Sequence, residues 1–82
     1  MFRVYGKPNC PWCVSAQKHI MANFPNESID YIDITQDAAA KEKILAAGFK
    51  TVPQVYSLDA GGNENHIGGF EALQDWTVEY YR

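Results

Sequence analysis

Two cysteines, and only two, occur in this chain of 82 residues, and they stand as Cys10-Pro11-Trp12-Cys13 at the head of a segment with helical character. No other feature constrains the fold as tightly. At positions i and i+3 of a helix the Cβ atoms lie about 5–6 Å apart on one face, so a modest local adjustment lets the two sulfurs bond or separate. The lead-in Gly6-Lys7-Pro8-Asn9 reads as a loop leaving a strand. It puts Cys10 at the N-cap and Pro11 at the first helical position, where a preset φ and a missing N–H suit the chain. Free N–H groups and the roughly +0.5 charge of a helix start favour a thiolate at Cys10, below the ordinary thiol value of about 8.5. Lys7 adds to that field, and Cys13, one turn further in, stays protonated until it is needed. The pattern predicts one nucleophilic and one resolving sulfur.

The rest of the chain reads as the support for that helix. Phe2-Arg3-Val4-Tyr5 is a short strand, and the cysteine helix runs from about Pro11 to Asn23 with Cys13, Ala16, Ile20 and Phe24 facing inward and Pro25 ending it. Lys18 and His19 fall in its later turns, where cations suit the dipole. Ser28 to Ile34 reads as a second strand whose apolar residues do not alternate cleanly, which predicts an interior strand covered on both faces. Thr35 or Asp37 caps a second helix to about Ala47, with Ala40, Ile44 and Ala47 inward, Asp37 and Lys41 paired at i, i+4, and Gly48 as its stop. Pro53 to Leu58 is a third strand, Asp59 to Asn63 a turn, and Glu64 to Ile67 a polar strand suited to a sheet edge. After Gly68-Gly69, the residues Leu73, Trp76, Thr77 and Tyr80 give a final helix its buried stripe, while Tyr81 and Arg82 are expected to fray. Lys18, Lys41, Lys43 and the acidic residues read as solvated faces.

The order β-α-β-α-β-β-α predicts an α/β fold. Its first two strands are parallel across a right-handed crossover and its last two form a hairpin, so a four-stranded mixed sheet is covered by three helices. That is a thioredoxin-like core at its smallest size, and residues 1–82 are expected to form a single domain.

Charge and hydropathy narrow the function classes. A net charge of −3 and dispersed lysines leave no basic stripe for nucleic acid. No window approaches the roughly 18 apolar residues of a membrane span, and Met1 to Tyr5 is too short for a signal peptide, so a cytoplasmic location is the default expectation. A reducing compartment and a βαβ pattern point to redox chemistry at the cysteine pair. The plainer alternatives are inert core thiols and a metal half-site. Zinc takes four ligands at structural sites, and His19 lies roughly 240° around the helix from Cys13, so the histidines fit a metal poorly. His66 reads as a surface strand residue.

Three stretches coincide: the cysteine pair with Lys7-Pro8-Asn9, then Thr51-Val52-Pro53, then His66-Ile67-Gly68-Gly69-Phe70. Together, over essentially the whole chain, they resemble the glutaredoxin family, most closely its short dithiol members from bacteria and phages. The resemblance implies a dithiol oxidoreductase with glutathione as co-substrate and with no metal or organic cofactor. It implies a cis bond before Pro53 and a glutathione site made from Lys7, Trp12, Lys50, Thr51, Val52, Pro53, Gly69, Phe70 and Glu71. The residues are compatible with that site. Pro53 pushes Val52 toward an extended backbone that can pair with a peptide, and the free N–H groups at Phe70 and Glu71 can receive a carboxylate. Lys7 and Lys50 would meet the glycyl carboxylate as point charges. Two positions depart from the usual pattern: Glu71 stands where the family has Asp, and Trp12 replaces Tyr, either packing or covering the thiol with an apolar plane. Ribonucleotide reductase is the expected client by analogy, and a monomer the expected state. Two rival readings keep the cysteines: recycling by thioredoxin reductase, and a non-catalytic iron–sulfur carrier, which a proline directly after Cys10 disfavours by resemblance.

Overall fold

The computed structural model describes residues 1–82, ordered β1 (Phe2–Gly6), α1 (Pro11–Asn23), β2 (Ile29–Asp33), α2 (Ala38–Ala46), β3 (Gln54–Leu58), β4 (Glu64–Gly68) and α3 (Phe70–Tyr80). Local signals start and stop the helices. Cys10 caps α1, with Pro11 at its first position. Asp37 caps α2 by accepting the Ala40 N–H at 3.0 Å. At the other end of α2 the Gly48 N–H donates to the Leu45 carbonyl and the Phe49 N–H to the Ile44 carbonyl, the paired closure of a helix stop. Asp37 therefore serves the helix start, not the expected pair with Lys41, which makes no ion pair.

The strand order is β2-β1-β3-β4, with β1 parallel to β2 and antiparallel to β3, and β3 antiparallel to β4. This is the thioredoxin-like mixed sheet with three helices. Register and the two-residue repeat of a strand divide its faces. Phe2, Val4 and Val55 share one face with Ala16, Ile20 and Phe24 around α1 and Leu73 from α3. Tyr5 and Tyr56 share the other with Ala40 and Ile44 from α2.

β2 is an edge strand, not the interior strand that its composition predicted. Its uneven pattern has another cause. Ile29 packs on the α1/α3 side and Ile32 on the α2 side, Asp30 accepts from Arg3 Nε at 2.9 Å, and the Tyr31 ring lies over Gly6. A side chain at position 6 would overlap that ring, so glycine is required there by the close approach.

The far ends of the strands, at Met1 and Leu58, carry an aromatic cluster. Phe24 packs against Phe2 at 5.0 Å and Trp76 at 5.8 Å between ring centres. Tyr80 is 61% exposed instead of buried, because the last turn of α3 runs past the core and meets Phe24, Trp76 and Tyr81 at its margin. Tyr81 does not fray: its ring stacks on Phe24 and its hydroxyl donates to the Asn23 carbonyl. His19 likewise does more than complement a dipole, since its Nε2 lies 2.8 Å from Thr77 Oγ1 and ties α1 to α3.

Candidate functional site

Three loops distant in sequence meet because of strand register. Tyr5 is paired with Gln54, and Val55 with Gly68. The loop after β1, the loop before β3 and the turn after β4 therefore open at the same end of the sheet. Gly68 makes that last turn possible, at φ +129° and with no room for a Cβ beside Ala72. The loop after β1 turns through Asn9 at φ +57°, a conformation asparagine tolerates.

At this end the two cysteines are joined as a disulfide with Cα atoms 5.2 Å apart, inside the ordinary range for such a bond. Cys10 Sγ accepts the Cys13 backbone N–H at 3.2 Å, so the cap position and the redox position are the same atom. The burial of the two sulfurs is unequal: Cys10 is 7% exposed and Cys13 1%. Of the two residues, Cys10 is the more accessible to an incoming sulfur. No acidic side chain stands in the first turn of α1 to oppose a negative sulfur. Cys10 Sγ also lies 4.0 Å from the carbonyl oxygen of Val52, whose peptide bond to Pro53 is cis.

Beyond Val52 an open groove of about 590 Å³ is lined by Trp12, Thr51, Val52, Pro53, Gly69, Phe70, Glu71 and Gln74. Trp12, 61% exposed, sets its ring 5.7 Å from that of Phe70 and so forms a wall of the groove while leaving the core to others. Gly69 brings no side-chain cap to α3, which leaves the first N–H groups of that helix to the groove. Lys7 and Lys50 are not in it. They line a second groove, on the other side of Thr51 and Val52, so the residues grouped by sequence are split between two neighbouring depressions.

Gln54, His66 and Tyr31 were not legible as site residues. Gln54 is buried, and its Nε2 donates to the Thr51 carbonyl at 3.0 Å while its Oε1 faces His66 Nε2 at 2.8 Å. Because that oxygen can only accept, His66 carries its proton on Nε2. The His66 ring stacks on Phe49 at 4.3 Å, so a chain of contacts from β4 holds the Thr51–Pro53 loop in place. Tyr31 donates from its hydroxyl to the Lys7 carbonyl at 3.2 Å and steadies the loop before Cys10. The only available signal was a polar residue, Gln54, inside an apolar strand.

No three His, Cys, Asp or Glu side chains are grouped to hold a metal ion. His19 and His66 point to Thr77 and Gln54 respectively. No helix is long and apolar enough to cross a membrane.

Sulfurs that join and part at the mouth of a helix, on a sheet of this topology, do one kind of chemistry, and the class is that of the thioredoxin-fold thiol–disulfide oxidoreductases. Within it the chain belongs to the glutaredoxin family. Residues 3–60 match the family model described as glutaredoxin. A glutaredoxin of Vibrio cholerae is 35% identical, the match covering 93% of this chain and 88% of that one. Among solved structures, the glutaredoxin-like NrdH-redoxin of Escherichia coli superposes with a TM-score of 0.74 at 18% identity, covering 95% of this chain and 91% of the other. Buckwheat glutaredoxin in complex with glutathione superposes at 0.72 and 24% identity, covering 96% and 69%.

Proposed function

We propose that the chain is a glutathione-dependent dithiol glutaredoxin, acting as a cytoplasmic monomer. The observation that carries this reading is the Cys10 sulfur 4.0 Å from the Val52 carbonyl, beside a groove that ends at an uncapped helix start. A peptide paired with Val52 in the manner of a β-strand brings its own cysteine sulfur to Cys10. For glutathione the γ-glutamyl carboxylate then falls at the N–H groups of Phe70 and Glu71, and the Glu71 carboxylate meets the ammonium. The glycyl carboxylate falls toward Lys7 and Lys50. Trp12 and Phe70 cover the cysteinyl middle of the ligand. Buckwheat glutaredoxin, which shares this fold, was solved as a glutathione complex, and that supports glutathione as the ligand in general.

The exchange runs in balanced steps. Cys10 thiolate attacks one sulfur of a client disulfide, which leaves a mixed disulfide and expels the client's other sulfur as a thiolate. Cys13 gives up its proton and attacks Cys10 Sγ, forming the Cys10–Cys13 disulfide and releasing the client dithiol. One glutathione thiolate opens that bond to give a Cys10–glutathione disulfide. A second takes the glutathione off as its own disulfide and restores Cys10 thiolate, so two electrons pass from two glutathiones to the client. Ribonucleotide reductase is the proposed client by analogy with short glutaredoxins.

Cys10→Ser is expected to abolish all activity, whereas Cys13→Ser still removes glutathione from glutathionylated thiols and fails on protein disulfides. Equal loss in both variants, measured on the two substrates side by side, rejects this division of roles. A competing reading, recycling by thioredoxin reductase, draws on the likeness to NrdH-redoxin, described as having a thioredoxin-like activity profile. Turnover with each donor in separate assays decides between them: rapid reduction by glutathione supports the first reading, and slow reduction by it beside fast reduction by the reductase supports the second.

A further inference from the structure

The second groove, of about 320 Å³, shares Thr51 and Val52 with the first. Ile44, Leu45 and Phe49 give it an apolar floor, and Lys7, Lys41 and Lys50 stand around it. Three of the chain's seven basic residues thus meet at one depression in a molecule of net charge −3. No acidic side chain lines it, and none of these lysines makes an ion pair. Asp37, the neighbour that spacing assigned to Lys41, is held by the Ala40 N–H.

We infer that this groove docks the segment of a disulfide-bearing client protein that follows its reactive cysteine, seating an apolar side chain on the floor and an acidic group among the lysines. The direction rests on the glutathione reading above. In glutathione the γ-glutamyl group precedes the cysteine and glycine follows it, so a chain laid along Val52 with the same polarity leaves the Thr51–Val52 ridge on its carboxyl side at Lys7 and Lys50. Glycine has no side chain and leaves Leu45 and Phe49 uncovered. A protein client does not, and the floor is where the two kinds of substrate become distinguishable. Unpaired cations at the rim steer an acidic segment toward Cys10 and fix which way it lies.

The test uses peptides that carry one cysteine in a disulfide with mercaptoethanol, with the chain reduced beforehand and followed over a single turnover. The sequence Cys-Leu-Glu is expected to react faster than its reverse, Glu-Leu-Cys, and faster than Cys-Gly-Lys. Lys41→Glu lowers the rate constant for Cys-Leu-Glu about three- to tenfold at low ionic strength. Salt at about 0.5 M removes most of that difference. Leu45→Asp lowers the same rate at either salt. Both substituted side chains are exposed on α2, and both variants retain the parent rate on the disulfide of mercaptoethanol itself, which has nothing to place in the groove. A preference for the reversed peptide, or an undiminished preference for Cys-Leu-Glu in both variants, overturns the inference. Glutathione is absent from this assay, so its outcome stands apart from the donor comparison that tests the recycling reaction.

Discussion

The N–H of Cys13 reaches back to the sulfur of Cys10 at 3.2 Å, and the same N–H, with the free end of α1, is in place to hold a thiolate once the disulfide opens. Alkylation of the reduced chain against pH is therefore expected to show Cys10 titrating below an ordinary thiol, with Cys13 far slower. A rate no greater than that of a free thiol at every pH removes the electrostatic basis of the mechanism. Gln54 works at one remove from the chemistry. Gln54→Met keeps the unbranched length of the side chain but takes the donor from the Thr51 carbonyl and the acceptor from His66, and a loosened Val52 pairs less well with substrate. We expect KM for a glutathionylated thiol to rise about two- to tenfold with kcat retained. A fall in kcat with KM unchanged shows that Gln54 does not position the loop.

At the scale of elements, Glu64 on β4 joins three of them. Its carboxylate accepts from Arg3 at 2.9 Å and Tyr5 at 2.6 Å on β1, and from Lys43 on α2, which also donates to the Tyr5 hydroxyl at 3.0 Å. Lys43 is thus not the solvated lysine its helix position suggested, and Glu64 is more than an edge charge. Partial burial pushes the Glu64 carboxyl up, but the hydrogen bonds from Lys43, Tyr5 and Arg3 outweigh it and hold the group at about 2. The Glu64 bond in turn raises Arg3 above its ordinary value. A carboxylate depressed by folding stabilises the native state above its ordinary pKa, and that contribution disappears as pH falls through the interval from 4.5 to about 2. Lys43 is half exposed and solvent screens its share, so the effect is about 1–2 kcal/mol. Urea unfolding should find Glu64→Gln less stable than the parent by that amount at pH 7, with the gap narrowing below pH 4.5. A gap independent of pH argues against the ion cluster as its source.

Across the whole molecule, reactivity and stability sit at opposite ends of the strands. The cysteines, Thr51–Pro53 and the Gly68–Gly69 turn cluster where β1 and β4 end and β3 begins, whereas Phe2, Phe24 and Trp76 pack where β1 begins and β3 ends. Phe24→Ala is expected to cost about 3–4 kcal/mol, a large share of the roughly 4–12 kcal/mol that holds a chain of this size. Below its lowered melting temperature the variant should keep the parent kcat/KM on a glutathionylated thiol. Loss of catalysis by a fully folded Phe24→Ala would mean that the two ends are coupled.

Where the helices and the hairpin start and stop depends on neighbours along the chain, and that was readable from residues alone. The span of α1 from Pro11 to Asn23, the caps at Cys10 and Asp37, the stop at Gly48 and the hairpin across Asp59 to Asn63 all rest on interactions within a few positions. Those local rules sufficed for the redox pair, because one helix start orients both sulfurs. Strand order, the union of Glu64 with Arg3 and Lys43, the packing of Tyr81 and the division of the two grooves by Thr51 and Val52 came only with the tertiary structure. Each of these depends on which surfaces exclude water together, a choice made among partners tens of residues apart that no local period or cap encodes.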